Sequence, residues 1–422
     1  MSKVKLKEIG VFKNGLNFSA DRVAKGCKMI GIPDFGNRYF ADLSSLSEID
    51  NTIVPDEYTL KDGDILFVRS NGNKALVGRT MIIKGISERI TFSGFCIRFR
   101  PNSEIAIPLY LLLLFKSPIF RKRFSKTQQT SINNINQEVL GEIEIDLPAK
   151  DEQKKIIDCI FPIIQKIEIN NAINDNLQQQ LHLLYDYWFT QFDFPDENGK
   201  PYRSSGGAMA WNSALKAEIP LGWTVGVLSD CIEKVSTGLN PRDNFKLGNG
   251  SIRYITVKNL TTSGVLDFSG CDTIDETART LIHRRSDISK GDILFASIAP
   301  LGRCYLIEQD STDWEINESV FSVRPNIEMT TAEFLYSYFT SPAFIKGATS
   351  SSTGSVFKGI RINTLLDTKV LIPPYRIASA FSSKVRGLFS MLDNNAAEIS
   401  TLSGIRDWIL PMLMNGQATI ID

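Results

Sequence analysis

The chain is 422 residues long, too long for a single hydrophobic core, so two or three domains are expected. With 43% hydrophobic and 22% charged residues it has the proportions of a soluble globular protein, which excludes disordered and fibrous classes. Its 47 basic and 47 acidic residues cancel, so net charge alone advertises no polyanion partner.

The N-terminal MSKVKLKEIG has basic residues but no apolar stretch behind them, so it does not read as a secretion signal, and a cytoplasmic protein is expected. Residues 1–150 carry a net charge of +6. In chain order they contain NGLN (Asn14–Asn17), GDILF (Gly63–Phe67), VGR (Val77–Arg79), FRPN (Phe99–Asn102), FKSPIF (Phe115–Phe120) and DLP ending at Pro148. GDILF predicts a short buried strand after a glycine-containing turn. Leu109–Phe115 (LYLLLLF), the longest apolar run, is far shorter than the ~18 residues of a membrane span. It predicts a buried helix that stops at Ser-Pro, because the residue before proline disfavours helical backbone. These segments make an α+β module.

Residues 151–192 predict a long helix. Spacings of four and three pick out Ile156, Ile160, Ile163, Ile167, Asn170, Asn174, Leu177, Leu181, Leu184 and Trp188 between Glu152 and Thr190, a coiled-coil seam with two polar members. Pro162 is expected to kink it or to mark an end. Residues 193–222, rich in Gly, Pro, Ser and Asn, predict an exposed linker.

The earlier motifs then return in the same order. Residues 223–374 contain TGLN (Thr237–Asn240), GDILF (Gly291–Phe295), LGR (Leu301–Arg303), VRPN (Val323–Asn326), FTSPAF (Phe339–Phe344) and LIP ending at Pro373. INNA (Ile169–Ala172) recurs as DNNA (Asp393–Ala396). All seven matches fall at offsets of 223 to 228, so the chain is two copies of one module, each followed by a helix. The second helix, in residues 375–422, has its seam at Leu388, Leu392, Asn395, Ile399 and Leu402, continuing toward Trp408 and Ile409, with Pro411 as its breaker. Two copies in one chain are expected to pair about a pseudo-two-fold axis, which makes the helices antiparallel. Thirty-nine helical residues would span roughly 58 Å, about 17 base-pair steps of DNA.

The lead-in LPAKDEQ (Leu147–Gln153), YDYWF (Tyr185–Phe189), IPLGW (Ile219–Trp223) and LPMLMNGQ (Leu410–Gln417), in this order around the helices, resemble the specificity subunit of type I restriction-modification systems. The first copy departs from the pattern by lacking the LGW lead-in. The resemblance implies an α+β fold in which two homologous target-recognition domains, 1–150 and 223–374, are separated by two long antiparallel coiled-coil helices, pseudo-two-fold symmetric. The central helix (151–192) would pair with the C-terminal helix (375–422). It implies a double-stranded DNA partner with a bipartite recognition site, two methyltransferase subunits docked on the helices, and a restriction subunit. Adenine is the implied target, and S-adenosylmethionine would be bound by the methyltransferase partner, with no cofactor in this chain. No membrane partner is implied.

Reading bases requires Arg, Lys, Asn, Gln, Ser or Thr on exposed loops, and anchoring phosphates requires cations. The stretch after each GDILF qualifies: Arg69, Ser70, Asn71, Asn73, Lys74 and Arg79 in copy one, and mainly Ser297 and Arg303 in copy two. So does the stretch after each Ser-Pro-Phe motif: Lys126, Gln128, Gln129, Ser131, Asn133 and Asn134, then Thr353, Ser355, Lys358 and Arg361. Lys258, Asn259 and His283–Arg285 are secondary candidates, and Arg121–Lys126 suits phosphates.

Catalytic chemistry is not expected. IPPY (Ile372–Tyr375) has an isoleucine where amino-methyltransferases place a hydrogen-bonding side chain, and no P-loop or Gly-rich cofactor loop is present. Asp62 and Asp64 recur as Lys290 and Asp292, which points to a turn rather than a metal site. Six cysteines without CxxC spacing and two histidines give no zinc or thioredoxin pattern. The other function class, a non-catalytic coiled-coil adaptor that binds only proteins, predicts no DNA dependence. Polar, cation-bearing loops at matching places in both copies favour DNA recognition.

Overall fold

The protein is described by a computed structural model covering residues 2–18, 26–36, 38–72, 76–118, 120, 134–310, 312–350 and 359–420. It divides into two compact units, residues 1–168 with 401–422 and residues 169–400.

In unit one, strands β1 (Ser2–Lys5), β2 (Gly10–Asn14), β3 (Cys27–Ile30), β4 (Ser47–Ile49), β5 (Ile65–Val68), β6 (Thr80–Ile82), β7 (Ile90–Phe92), β8 (Cys96–Pro101) and β9 (Glu144–Leu147) form three sheets. Their orders are β2-β8-β5-β6, β4-β3-β7 and β1-β9. All pairings are antiparallel except β3 with β7. The apolar run folds as a helix, Pro108–Lys116, whose Tyr110–Phe115 face the core. A short helix, Gln137–Gly141, precedes β9.

In unit two the connector contributes the hairpin β10 (Met209–Asn212) and β11 (Ala217–Pro220). Then follow β12 (Thr224–Val227), β13 (Ile232–Thr237), β14 (Ile252–Ile255), β15 (Asp272–Ile274), β16 (Ile293–Ala296), β17 (Cys304–Leu306), β18 (Trp314–Ile316), β19 (Val320–Pro325) and β20 (Lys369–Ile372). Their orders are β13-β19-β16-β17, β15-β14-β18 and β12-β20, and only β14–β18 is parallel. Strand for strand this is the topology of the first module. The second adds a helix, Glu276–Ser286, where the first has two 3₁₀ turns, Asn51–Ile53 and Asp56–Tyr58.

The repeated motifs mark the fastenings of this scaffold. Asp64 of the first GDILF is buried and accepts two hydrogen bonds from Arg100 of FRPN, from Nε and Nη2, each at 2.7 Å. Asp292 of the second receives Arg324 of VRPN through the same two nitrogens, at 2.8 and 3.0 Å. Gly63 and Gly291 adopt φ of 88° and 86°, the left-handed backbone that glycine enters without strain. In NGLN and TGLN the glycines answer a close approach. A Cβ on Gly15 would strike the Ser93 carbonyl, and one on Gly238 the carbonyl of Ile316. Ser117 and Ser341 of the Ser-Pro motifs each donate to the carbonyl three residues back, of Leu114 and Tyr338, and accept from the N–H of Phe120 and Phe344.

The central helix runs from Lys150 to Tyr185 and ends in a π turn, Asp186–Thr190, and the C-terminal helix runs from Tyr375 to Met414. Pro162 and Pro411 both lie inside their helices, so neither marks an end. Eight of the ten central seam residues are buried, with Ile163 and Leu184 half-buried. In unit two, Asn395 donates to Asn174 Oδ1 at 3.0 Å, and Asn170, one turn earlier, donates to Glu398, one turn later, at 2.7 Å, which makes the pairing antiparallel. A polar pair inside such a seam fixes register at some cost in stability. In unit one, Ile156, Ile160 and Ile164 share a core with Leu410, Leu413 and Met414. Trp408, expected to continue the seam, is exposed instead, because around Pro411 the buried stripe passes through Leu410, Leu413 and Met414.

The connector is more ordered than its composition suggests. Phe194 stacks between Tyr202 and Trp223, with ring centroids 4.6 and 5.4 Å away, and Phe192 meets Trp223 edge-on.

Candidate nucleic-acid interface

In the first module β5 opens into a loop closed at its base, where Val68 N–H donates to the Arg79 carbonyl and Gly78 N–H to the Val68 carbonyl, both at 2.9 Å. At the loop's start three chain segments converge. Arg69 N–H donates to the Phe95 carbonyl at 2.8 Å, Ile135 N–H donates to the Arg69 carbonyl at 2.9 Å, and Ser70 faces Asn134 in an antiparallel bridge. The start of the first polar stretch and the described end of the second are therefore brought together, along with a β-turn between β7 and β8 that carries no signal in the sequence.

The second module repeats the construction. Ser297 N–H donates to the Ser319 carbonyl at 3.1 Å, Ile360 N–H donates to the Ser297 carbonyl at 2.8 Å, and Ile298 faces Gly359 in an antiparallel bridge. Equivalent backbone hydrogen bonds thus carry different side chains: Arg69 corresponds to Ser297, and Phe95 to Ser319.

Around the first junction, Arg69 is half-buried and donates from Nη1 to the Gly94 carbonyl at 3.3 Å, Ser70 and Asn71 are half-buried, and Asn134 is exposed. Around the second, Arg361 is exposed immediately before the helix Ile362–Leu366, next to Ile360, whose N–H holds the Ser297 carbonyl. Arg79 and Arg303 occupy matching half-buried places, and burial lowers the pKa of each guanidinium. Neither has a carboxylate partner among the described residues. Arg303 instead donates to the carbonyls of Pro300 and Leu260, at 3.3 and 3.2 Å. A half-buried guanidinium without a carboxylate is suited to a phosphate oxygen.

The remaining candidates divide. Lys258 is exposed, whereas Asn259 is buried with both ends of its amide engaged: Oδ1 accepts from Thr256, and Nδ2 donates to the Asp267 carbonyl at 2.8 Å. It therefore closes its own turn and offers nothing to a base. His283 pairs through Nδ1 with the buried Glu315 at 2.8 Å, and Ser286 donates to the same carboxylate, while His283, Arg284 and Arg285 are all exposed. Burial raises the pKa of Glu315. Asn73, Lys74, Lys126, Gln128, Gln129, Ser131, Asn133, Thr353, Ser355 and Lys358 lie outside the described residues, as does Arg121–Lys126 as a whole.

No metal centre emerges among the described residues, which contain no group of three or more His, Cys, Asp or Glu able to hold one. Asp62 accepts from Ile86 N–H, and Ile372 ends β20 just before the C-terminal helix. No helix of the described residues is long and apolar enough to cross a membrane.

Residues 1–179 and 220–384 both match the family model described as the type I restriction modification DNA specificity domain. The specificity subunit of the type I restriction enzyme HindI of Haemophilus influenzae is 23% identical over 417 residues, covering 85% of this chain and 87% of that protein. The MjaIX specificity subunit of Methanocaldococcus jannaschii is 25% identical over 328 residues, covering 74% and 69%. The crystal structure of the type I restriction-modification S subunit from M. genitalium matches with a TM-score of 0.52 at 15% identity, over 98% of this chain and 96% of that one, a likeness of fold.

Proposed function

The chain belongs to the family of type I restriction-modification DNA specificity proteins, and from that premise we propose that it is a non-catalytic subunit reading a bipartite double-stranded DNA site, one half with each module. The observation that carries this is the three-segment junction, built by the same backbone hydrogen bonds in both modules but dressed with different side chains, Arg69, Ser70, Phe95 and Asn134 in one and Ser297, Ile298, Ser319 and Gly359 in the other. A common scaffold with unlike readers is what recognition of two unlike half-sites requires. Arg69, Ser70, Asn71 and Asn134 are the assigned contacts in module one, and Arg361 in module two, with Arg79 and Arg303 on phosphates.

In this reading two methyltransferase subunits, which would bind S-adenosylmethionine and methylate adenine, dock on the helices, and a restriction subunit joins them in the cytoplasm. The helices expose apolar side chains suited to such docking: Ile169, Leu183 and Met391 in unit two, and Ile405 and Trp408 in unit one. The test is to map methylated bases in the host genome with and without the gene. A split motif that disappears on deletion is expected, and an unchanged methylation pattern would refute the proposal.

Arg361→Ala should leave assembly with the methyltransferase intact and weaken binding to the specific duplex by about 1–3 kcal/mol, relaxing one base position. Retention equal to the unmodified protein in a filter-binding titration would remove Arg361 from the interface.

A further inference from the structure

Phe95 stands out at the module-one junction. A single exposed apolar side chain is ordinary on a protein surface, so what matters is how this one is held. Its ring is 60% exposed while the residues on either side of it, Gly94 and Cys96, are buried. Three backbone hydrogen bonds and one to a side chain fix the turn: Gly94 N–H to the Leu16 carbonyl at 2.8 Å, Cys96 N–H to the Ser93 carbonyl at 2.8 Å, Arg69 N–H to the Phe95 carbonyl at 2.8 Å, and Phe95 N–H to Ser93 Oγ at 3.2 Å. A Cβ on Gly94 would strike the side chain of Asn17, so the turn lies flush on the chain beneath it. The ring is thus presented on a rigid mount beside Arg69, with Ser70 and Asn134 bridged on Arg69's other side.

We propose that Phe95 is a specificity-determining residue that packs against the 5-methyl group of a thymine in the half-site read by the first module. This rests on the reading of the junction as the DNA interface. An apolar group among guanidinium, hydroxyl and amide matches the major-groove edge of a site containing thymine, where a methyl lies among hydrogen-bonding groups. In the second module the same turn carries Ser319, whose N–H is held by Asn317 Oδ1 at 3.0 Å as that of Phe95 is by Ser93. That head has no apolar group at this place, so the two half-sites are distinguished here.

The experiment uses the full chain assembled with its methyltransferase subunits, unmodified and as Phe95→Ser, on duplexes in which each thymine of the mapped site is replaced singly by deoxyuridine. With the unmodified chain, one replacement in one half-site should lower specific affinity about fivefold, the loss of one buried methyl contact. Phe95→Ser should bind the thymine duplex about fivefold more weakly and be indifferent to that replacement, while Phe95→Tyr keeps the sensitivity. Identical uracil profiles for the unmodified chain and Phe95→Ser overturn the assignment. So does a loss of subunit assembly with the DNA profile unchanged, which would make Phe95 a protein contact. If the unmodified complex shows no preference for any split motif, the DNA reading itself fails and the assignment with it.

Discussion

Arg324→Ala is expected to destabilise unit two by about 3–5 kcal/mol, and Asp292→Asn by roughly 1–2 kcal/mol, although both changes break the same ion pair. The asymmetry follows from burial. Asp292 is only 2% exposed, so without Arg324 its carboxylate keeps the Ser289 N–H and the Ser322 hydroxyl but no compensating charge and no water. Arg324 is 24% exposed and retains Asp287 and the Ser289 hydroxyl when Asp292 is neutralised. The same ranking is expected for Arg100→Ala over Asp64→Asn in unit one, where Asp64 is 1% exposed and holds Lys61 N–H. Replacing both partners of either pair by Leu and Met should recover most of the loss. Urea unfolding of the full chain would check this, and an Asp→Asn cost equal to that of Arg→Ala would contradict it.

That clamp also shows where sequence reading stops. The recurrence of GDILF and of Arg-Pro-Asn at nearly one offset revealed the duplication, and with it the repeated topology. What Asp64 does was hidden because its partner lies 36 residues away and enters through the sheet register that sets β5 beside β8. Read alone, Asp64 looked like part of a turn. Motifs that repeat together were signalling that they touch. The helical seam was legible because burial along a helix is periodic, down to the asparagines that meet as Asn174 and Asn395. It failed at Trp408, where periodicity near a proline does not say which stripe is buried. The connector is mostly exposed, as its Gly, Pro and Ser content suggests, and what composition did not show is that Phe194 and Tyr202 within it stack with the flanking Phe192 and Trp223.

For the candidate interface, residue type picked out loops whose described ends meet at one junction in each module but could not sort their side chains. Asn259 and Asn134 look alike in sequence, yet one closes its own turn and the other is exposed. Phe95 carried no signal at all, since base reading was sought in polar residues and its turn lies 26 residues from Arg69. Backbone hydrogen bonds, which sequence does not show, decide which segments share a rim.

Phe381→Ala should have an effect on unit two of similar size to the loss of Arg324, about 3–5 kcal/mol. Phe381 is fully buried near the start of the C-terminal helix, and its ring centroid lies 5.0 Å from Phe189, 5.6 Å from Trp188 and 6.5 Å from Tyr185. Phe189 in turn meets Phe334 of the helix Ala332–Phe339 edge-on at 4.8 Å. One ring therefore joins the end of the central helix, the start of the C-terminal helix and the body of the second module. Removing it leaves a cavity and also breaks edge-to-face contacts worth about 0.5–1.5 kcal/mol each. All of these partners lie in unit two, so a calorimetric scan of the full chain should lower the transition of that unit while leaving the transition of unit one in place. Phe381→Leu, which fills most of the space, should cost less than half as much. A Phe381→Ala protein that unfolds within about 1 kcal/mol of the unmodified chain would mean that the hairpin and connector aromatics, and not this cluster, hold the second module to the helices.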